Sequence, residues 1–226
     1  MGRVFKVLAV VCALAVTVPA AVIALYGVVD PPALPVLRQQ WKGAPVDQRW
    51  VRLDEMSPGL VRAVVMAEDA RFCLHWGVDL NQLRIVVKDA LEGGRPRGAS
   101  TITMQTVKNV FLWPSRSYVR KAIEVPLAFL MDLILSKDRI LEIYLNSAQW
   151  GSVAYGAEAA AQRHFGVSAA QLSERQALAL ATALPAPSLR NPRRPGPRQE
   201  RAMARVAREL RRAPWVFGCL PPAIRP

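Results

Sequence analysis

The stretch AEDARFCLHWGVD, residues 67–79, concentrates ionisable side chains: Glu68, Asp69, His75 and Asp79 all lie within it. The whole chain of 226 residues has only 17 acidic residues and 2 histidines, so these residues are unusually concentrated in this stretch. A polar loop that caps a helix is one explanation. A functional site is the other, and the rest of the sequence decides between them.

The residues before this stretch predict an amphipathic helix that ends near Glu68. Ser57 offers an N-cap with Pro58 at the first helical position, and apolar residues then follow at helical spacing, namely Leu60, Val61, Val64 and Val65. The negative end of a helix dipole disfavours a nearby carboxylate. We therefore expect the pKa of Glu68 to be raised somewhat.

Helical patterns recur along the rest of the chain, and no alternating stretch is long enough to predict a strand. We predict helices over 80–91, 101–110, 154–161 and 173–184, and one or two helices over 120–146 with a kink at Pro126. The segment EGGRPRGAS, 92–100, has the composition of an exposed, mobile loop. The sequence therefore predicts a mainly α domain.

The N-terminus carries an apolar run long enough to cross a bilayer. Residues 7–29 lie between Lys6 and Asp30 and contain no charge, and about 20 apolar residues span a membrane. A cleaved signal peptide has an apolar region of only about 7–15 residues, so we predict an uncleaved anchor. Because Arg3 and Lys6 precede the run, the positive-inside rule keeps residues 1–6 in the cytoplasm and places the domain outside it.

Charge and cysteine content narrow the possible partners. The net charge of +13 is compatible with nucleic acid, anionic lipid or phosphorylated substrates, and the predicted anchor argues against nucleic acid. Cys12 lies in the anchor, and Cys73 and Cys219 can pair only if the fold brings them together. With no CxxC or HExxH motif, the sequence predicts neither a zinc site nor a disulfide scaffold.

The predicted domain, residues 57–190, is flanked by segments of different composition. Residues 30–56 are rich in Pro and Trp and form a connector, and residues 191–226 are a Pro- and Arg-rich tail with a basic helix over 198–212. We expect this helix to present a solvated face, with contact to anionic lipid headgroups as the alternative.

Four further clusters follow the opening stretch. GASTITMQTVKN, 98–109, supplies the hydroxyl, amide and ammonium donors that sugars and phosphates need. RKAIE, 120–124, taken alone indicates a helix-surface ion pair, since an acid C-terminal to a base is the weaker orientation. KDRILEIYLN, 137–146, and GSVAYGAEAAAQRHFG, 151–166, are typical of packing surfaces.

In this order and spacing the five clusters resemble the motifs of the family 51 peptidoglycan glycosyltransferases, which form the N-terminal half of class A penicillin-binding proteins and also occur as monofunctional biosynthetic transglycosylases. The first motif of that family, EDxxFxxHxGxD, is matched at every fixed position. The match extends through GASTIT, KN, RKxxE, KxxILExYLN and GxxGxxxAA, over residues 50–190. The resemblance implies a lysozyme-like helical domain preceded by one transmembrane helix.

The chain departs from the family pattern at two positions. Met104 stands where Gln is usual, which removes a possible amide contact to substrate, and His164 stands where Tyr is common. We expect these changes to affect rate or substrate preference rather than reaction type. Because too few residues follow Gly166 for a transpeptidase domain, we expect a monofunctional enzyme.

The resemblance implies a specific reaction. The 4-hydroxyl of one lipid II attacks the anomeric carbon of a lipid-linked chain and expels undecaprenyl pyrophosphate, which requires a general base and positive charge. Glu68 is the candidate base, and Lys108, Arg116 and Arg120 would bind the pyrophosphate. Glu124 would assist departure, either by orienting these cations or by holding a divalent metal, and both roles stay open.

The other motif residues are expected to contact substrate or to support the site. Ser100, Thr101 and Gln105 are expected to contact sugar or phosphate. The supporting residues are Asp69, Phe72, His75, Asp79, Lys121 and Asn109, of which His75 and Asp79 are expected to fix the loop rather than perform chemistry. A divalent cation, Mg²⁺ or Mn²⁺, is left open as cofactor, and no organic cofactor is implied.

The expected partners are lipid II, the growing lipid-linked glycan and membrane lipid, and contact with other cell-wall synthesis or division proteins stays open. The expected location is the bacterial cytoplasmic membrane, with the domain on the periplasmic side. Phe111, Leu112 and Trp113 either belong to the core or dip into the membrane interface. Two other functions remain: a lysozyme-like glycan hydrolase, whose sugar leaving group needs no cation cluster, and a non-catalytic cell-wall adaptor.

Overall fold

The structure is a computed structural model that describes residues 2–94, 100–113 and 117–225. Helices dominate this part of the chain: α1 Gly2–Leu25, α2 Leu34–Trp41, α3 Pro58–Glu68, α4 Leu80–Leu91, α5 Ile102–Phe111, α6 Tyr118–Ile134, α7 Lys137–Ser147, α8 Ala157–Phe165, α9 Glu174–Ala183 and α10 Pro197–Arg212. Two short parallel strands, β1 Asp47–Gln48 and β2 Ala154–Tyr155, pair with each other. The prediction of a mainly α chain is confirmed.

The helix boundaries follow the sequence signals closely. Helix α4 covers the predicted range 80–91, and α5 begins and ends one residue later than predicted. The range 120–146 forms two helices, with Pro126 inside α6. The prediction for 154–161 was partly wrong, because Ala154 and Tyr155 form β2 and the helix begins only after Gly156.

Helix α3 is the centre of the core. It packs against α9 and α10, while α5 packs against α6 and α7. The residues predicted for its buried face, Leu60, Val61, Val64 and Val65, are fully buried. Burial of such side chains is the main stabilising contribution in a domain of this size. The carboxyl end of α3, with Glu68, is therefore held by the best-packed part of the molecule.

Helix α1 is long and apolar enough to span a membrane from Arg3 to Leu25, and nearly all of it is exposed. It ends four residues before the predicted end of the anchor at residue 29, since residues 26–28 form a turn. Near this end Ile23 is fully buried and α1 contacts α6. The candidate anchor is thus joined to the domain by packing as well as by the chain.

Arg139, at the start of α7, fastens the segment that leaves α1. Its guanidinium donates to the carbonyl oxygens of Tyr26 and Val29, each at 2.8 Å, and to the carboxylate of Asp30 at 3.0 Å. It also pairs with Glu142. Because one planar group bridges both segments, the chain emerging from α1 has a fixed position relative to α7.

The C-terminal residues continue the core beyond the predicted domain end at 190. The predicted basic helix is α10, and its Met203 and Val206 are buried against α3 and α9. Phe217 and Leu220, in the segment after α10, are also fully buried. The Pro- and Arg-rich composition concealed these sparse apolar residues, whereas the arginines of α10 are mostly exposed, as expected for a solvated face.

The fold brings Cys73 and Cys219 together in a disulfide, with their Cα atoms 5.3 Å apart. The pairing that the sequence left open is therefore made. The two cysteines are 146 residues apart in sequence and have no motif around them, so only the fold could reveal the bond. It joins the loop after α3 to the C-terminal segment.

Candidate active site

Asp69 ties the loop after α3 to the start of α5. Its two carboxylate oxygens accept from His75 Nε2 at 3.0 and 3.1 Å, and Oδ2 also accepts from the backbone N–H of Ile102 at 2.9 Å. His75 Nδ1 is buried and has no hydrogen-bond partner in the described part of the chain. His75 therefore fixes the loop through Asp69.

Gly77 occupies a position that no other residue could fill. Its φ is +71°, and a Cβ there would lie 2.2 Å from the carbonyl oxygen of Ala128. Its N–H donates to Asp132 Oδ2 at 2.7 Å. Asp132 also accepts from Thr103 Oγ1 at 3.1 Å and from Lys137 Nζ at 2.6 Å. Sequence reasoning missed this buried acid, although its interruption of an apolar helix was the available signal.

Asp79 completes the loop by capping α4. Its Oδ1 accepts from the backbone N–H groups of Asn81 and Gln82 at 3.0 and 3.1 Å, and its Oδ2 accepts from Arg71 Nε at 2.9 Å. Phe72 is fully buried, and Lys137 Nζ lies 4.5 Å from the centre of its ring. The conformation of the loop that follows Glu68 is thus specified by contacts from several elements.

Glu68, the last residue of α3, is held by an amide. Gln105 Nε2 donates to Glu68 Oε2 at 3.0 Å, and Gln105 Oε1 accepts from the Tyr144 hydroxyl at 3.4 Å. Burial raises the pKa of Glu68, against the Gln105 hydrogen bond and the charges of Lys108 and Arg190. The direction is the one expected from the helix dipole, but the main cause is burial.

Glu124 has a different environment. It is 2% exposed, and its carboxylate lies 2.7 Å from Arg120 Nη1 and 3.8 Å from Lys121 Nζ. Lys121 also donates to Ser100 Oγ at 2.9 Å. The interpretation of RKAIE as a helix-surface ion pair is wrong, because tertiary packing covers both Glu124 and Arg120. We call Lys108, Arg120 and Lys121 the cation cluster.

Lys108 lies within electrostatic range of both glutamates. Burial lowers the pKa of Lys108, with Arg120 and Lys121 acting in the same direction, while Glu124 and Glu68 oppose the shift. Burial likewise lowers the pKa of Lys121. Because the charges of both Glu68 and Glu124 act on the pKa of Lys108, Glu68 and the cation cluster belong to one site.

Two cavities adjoin these groups. The large cavity, about 480 Å³, is lined by Gln105, Lys108, Asn109 and Tyr144 among others. The loop cavity, about 200 Å³, is lined by Glu68, Asp69, Arg71, Asp79, Gln82, Ser100 and Thr101, together with Ala70. The first opens on the cation cluster through Lys108, and the second opens on Glu68. The site thus offers space beside the cation cluster and space beside the candidate base.

Most of the predicted site residues are brought together, with three qualifications. The Thr101 hydroxyl is buried, donates to the Gly77 carbonyl and accepts from the Met104 N–H at 3.1 Å, so it serves the fold rather than a ligand. Asn109 donates to Ser147 Oγ at 3.4 Å. Arg116 lies outside the described residues.

The two departures from the family pattern lie away from the candidate base. Met104 is 1% exposed and lies in the core. Adjacent residues of a helix point about 100° apart, so Met104 faces the core while the next residue, Gln105, faces Glu68. The Met104 side chain therefore points into the core and away from the candidate base. His164 lies 3.4 Å from the Trp150 carbonyl oxygen, and burial lowers the pKa of His164. It lines neither cavity.

Tyr144 and Arg190 also belong to the site, and sequence reasoning gave them no role in it. Tyr144 was assigned to a packing face, yet its hydroxyl orients the amide that holds Glu68. Arg190 donates to the Thr182 carbonyl oxygen, and its charge lowers the pKa of Glu68. Its position next to a Pro- and Arg-rich segment gave no signal of that contact.

The divalent metal left open as cofactor stays a prediction, because one or two carboxylates together with substrate phosphates are enough to bind Mg²⁺. Within residues 2–94, 100–113 and 117–225, no three His, Cys, Asp or Glu side chains gather as a ligand set. The carboxylate of Glu124 already faces Arg120 and Lys121. We therefore assign no chemical step to a metal.

A family model described as transglycosylase matches residues 36–213 of the chain. The chain belongs to the transglycosylase family. The expected lysozyme-like helical domain behind one apolar helix is thereby confirmed, since the matched residues begin after α1 and include every motif of the site.

Individual relatives cover most of the chain. It is 56% identical over 176 residues to a biosynthetic peptidoglycan transglycosylase of Mesorhizobium japonicum, covering 77% of this chain and 74% of the relative. A protein of the same name from Brucella suis is 54% identical over 172 residues, covering 76% and 77% of the two chains. One from Rhodopseudomonas palustris is 45% identical over 212 residues, covering 93% and 90%.

Proposed function

We propose that the chain is a membrane-anchored peptidoglycan glycosyltransferase that polymerises lipid II into glycan strands and releases undecaprenyl pyrophosphate. One observation carries the proposal. A desolvated carboxylate, Glu68, shares its site with three cations, two of which pair with a second carboxylate, Glu124. Transfer of a glycan from a pyrophosphate to a hydroxyl needs such a base and such a leaving-group site.

Glu68 acts as the general base in this proposal. Its carboxylate takes the proton of the acceptor 4-hydroxyl while the oxygen bonds to the anomeric carbon, and the bond from that carbon to the pyrophosphate breaks. A single displacement inverts the configuration at the anomeric carbon. Burial supports this role, because a raised pKa makes the carboxylate a stronger base than an exposed one while leaving it ionised above that pKa.

The cation cluster receives the charge that develops on the departing pyrophosphate. Lys108 and Lys121 are partly desolvated, so their charges act with less screening than they would in bulk water. Glu124 holds Arg120 at 2.7 Å and Lys121 at 3.8 Å, which keeps both cations oriented before substrate binds. Of the two roles left open for Glu124, we propose orientation of the cations.

The membrane arrangement follows from α1 and α6. The positive-inside rule puts residues 2–6 in the cytoplasm and the domain on the periplasmic side of the bacterial cytoplasmic membrane. Helix α6, which contacts α1, exposes Val119, Ile123 and Leu133, and the nearby Trp113 is half exposed. Leu112 belongs to the core. We propose that these exposed apolar side chains meet the lipid interface, where a lipid-linked substrate arrives by diffusion in two dimensions.

The test is polymerisation of labelled lipid II by the full-length chain in detergent, with products separated by size. The wild type is expected to make polymer, and Glu68→Gln is expected to be about 10²–10⁴-fold slower because it lacks the base. Glu92→Gln, at an exposed helix end, is the matched control and should match the wild type.

The same assay separates the two other functions. Shortening of finished glycan strands, without growth from lipid II, would assign the chain to the hydrolases. No product from any variant would point to an adaptor. Polymer from wild type and Glu68→Gln at equal rates would show that Glu68 is not the base.

A further inference from the structure

A third cavity adjoins Glu68 on the side formed by the C-terminal segment. This C-terminal cavity, about 430 Å³, lies between the end of α3 and residues 213–216, and its lining includes Glu68, Arg71, Arg205, Glu209 and Trp215. Its size falls within the range of about 300–1,000 Å³ usual for ligand sites. The cation cluster contributes nothing to this lining. Glu68 therefore separates a cationic side of the site from a second, mixed-charge side.

The wall that carries Trp215 is fixed in place. Val216 and Phe217, which follow Trp215, are buried in the core, and Cys219 is bonded to Cys73 in the loop after Glu68. Trp215 itself is 65% exposed. A large aromatic ring held rigidly at a cavity mouth loses little conformational entropy when a ligand packs against it.

The chemistry of the lining favours a neutral, hydroxyl-rich ligand. The guanidinium of Arg205 makes no hydrogen bond or ion pair with the part of the chain that the structure describes. The carboxylates of Glu68, Asp69 and Glu209 line the same space, so both donors and acceptors are present. Those carboxylates would repel a phosphate, and a hydrocarbon chain would desolvate them without compensation. A sugar is uncharged, and its hydroxyl groups can bond to both the donors and the acceptors of the lining. One face of the sugar can pack on the indole of Trp215.

We propose that the C-terminal cavity binds a sugar of the acceptor and that Trp215 is its stacking platform and a specificity-determining residue. The inference rests on the proposed function, in which Glu68 takes the proton of the acceptor hydroxyl. In that reaction the donor pyrophosphate lies at the cation cluster, so a sugar bound beside Glu68 and away from the cation cluster belongs to the acceptor. Trp215 lies beyond residues 36–213, so the family match does not assign it a role.

The experiment compares the steady-state kinetics of lipid II polymerisation in detergent for the wild type, Trp215→Ala, Trp215→Phe and Trp41→Ala. Trp41 is 93% exposed and lines none of the three cavities, so it controls for loss of an exposed indole. Trp215→Ala is expected to raise KM about 3–10-fold with kcat little changed, because a stacking contact of this kind is lost. Trp215→Phe should keep most of the wild-type KM, and Trp41→Ala should keep all of it.

The outcomes separate this inference from the function on which it rests. Polymer from the wild type together with an unchanged KM in Trp215→Ala overturns the sugar subsite alone. An equal rise of KM in Trp215→Phe overturns stacking as its cause. No polymer from the wild type removes the proposed function, and the acceptor subsite with it. Melting temperatures of the four proteins should agree, since both tryptophans are exposed.

Discussion

Glu68 and Glu124 are two glutamates of one site in contrasting surroundings. The side-chain partner of Glu68 is a neutral amide, and burial raises its pKa. Glu124 is more deeply buried, yet it faces a guanidinium at 2.7 Å and an ammonium at 3.8 Å. The cations beside Glu124 therefore suit it to orienting them, whereas Glu68, which faces a neutral amide, is the carboxylate whose pKa burial raises.

The largest effect is expected when the paired carboxylate is removed. Glu124→Ala removes the buried carboxylate that faces Arg120, and breaking a buried pair costs about 3–5 kcal/mol of stability. Polymerisation should fall as well, because Arg120 and Lys121 lose their orientation. Thermal unfolding and the rate of lipid II polymerisation are the measurements.

A double variant separates these two consequences. Glu124→Leu with Arg120→Met replaces the pair by apolar groups, which is often neutral for stability. It should recover much of the melting temperature while polymerisation stays low. Wild-type stability and rate in Glu124→Ala would contradict the proposed role of the pair.

The next largest effect concerns Lys108, whose pKa is influenced by the charges of both Glu68 and Glu124. Lys108→Met is expected to slow polymerisation about 10²–10³-fold, the usual loss for one group that stabilises a developing negative charge. Lys108→Arg keeps the charge at every accessible pH. Because the pKa of Lys108 is lowered by burial, the wild type should lose activity at high pH as this lysine deprotonates, whereas Lys108→Arg should lose less, with Lys121 as the remaining lysine of lowered pKa. Identical alkaline limbs for the two proteins would exclude Lys108 as the titrating group.

The sequence could predict much of this contrast, but not all of it. The resemblance of their motifs to those of the family identified both Glu68 and Glu124 as candidates, and the apolar periodicity before Glu68 predicted its place at a helix end. The burial that raises the pKa of Glu68 depends on packing between distant segments. Local propensity does not encode such packing, so the sequence of RKAIE alone indicates a surface ion pair for a Glu124 that the fold buries.

The same limit explains the residues that sequence reasoning missed. Asp132 is a buried acid that accepts from Gly77, Thr103 and Lys137, and these three donors come from separate motifs. Each motif was visible, but their convergence on one carboxylate was not. Similarly, nothing in the local sequence linked Cys73 to Cys219 or predicted that the C-terminal segment forms a wall beside Glu68.

A smaller effect tests the neutral partner of Glu68. The hydrogen bond from Gln105 favours the ionised carboxylate and lowers its pKa, so Gln105→Leu should raise that pKa further. A general base must be ionised, and the acid limb of kcat/KM should therefore move to higher pH. Tyr144→Phe removes only the 3.4 Å hydrogen bond to Gln105 and should move the limb less, in the same direction. A shift to lower pH in either variant would contradict the assignment of Glu68 as the base.

The smallest effect is one of stability. Because the pKa of Glu68 is higher in the folded chain than its ordinary value, the fold favours the protonated form, and stability is lost as the pH rises through the folded pKa. Glu68→Gln is neutral at every pH and can still accept the hydrogen bond from Gln105. It should therefore melt at a higher temperature than the wild type at neutral pH, by about 2–4 °C for each 1 kcal/mol gained in a chain of this size. The difference should vanish below the ordinary carboxyl pKa, where both side chains are uncharged. The proposed base must be ionised at its working pH, and there its buried charge destabilises the fold. Equal melting temperatures of the two proteins at neutral pH would show that the Glu68 carboxylate is better solvated than its surroundings indicate.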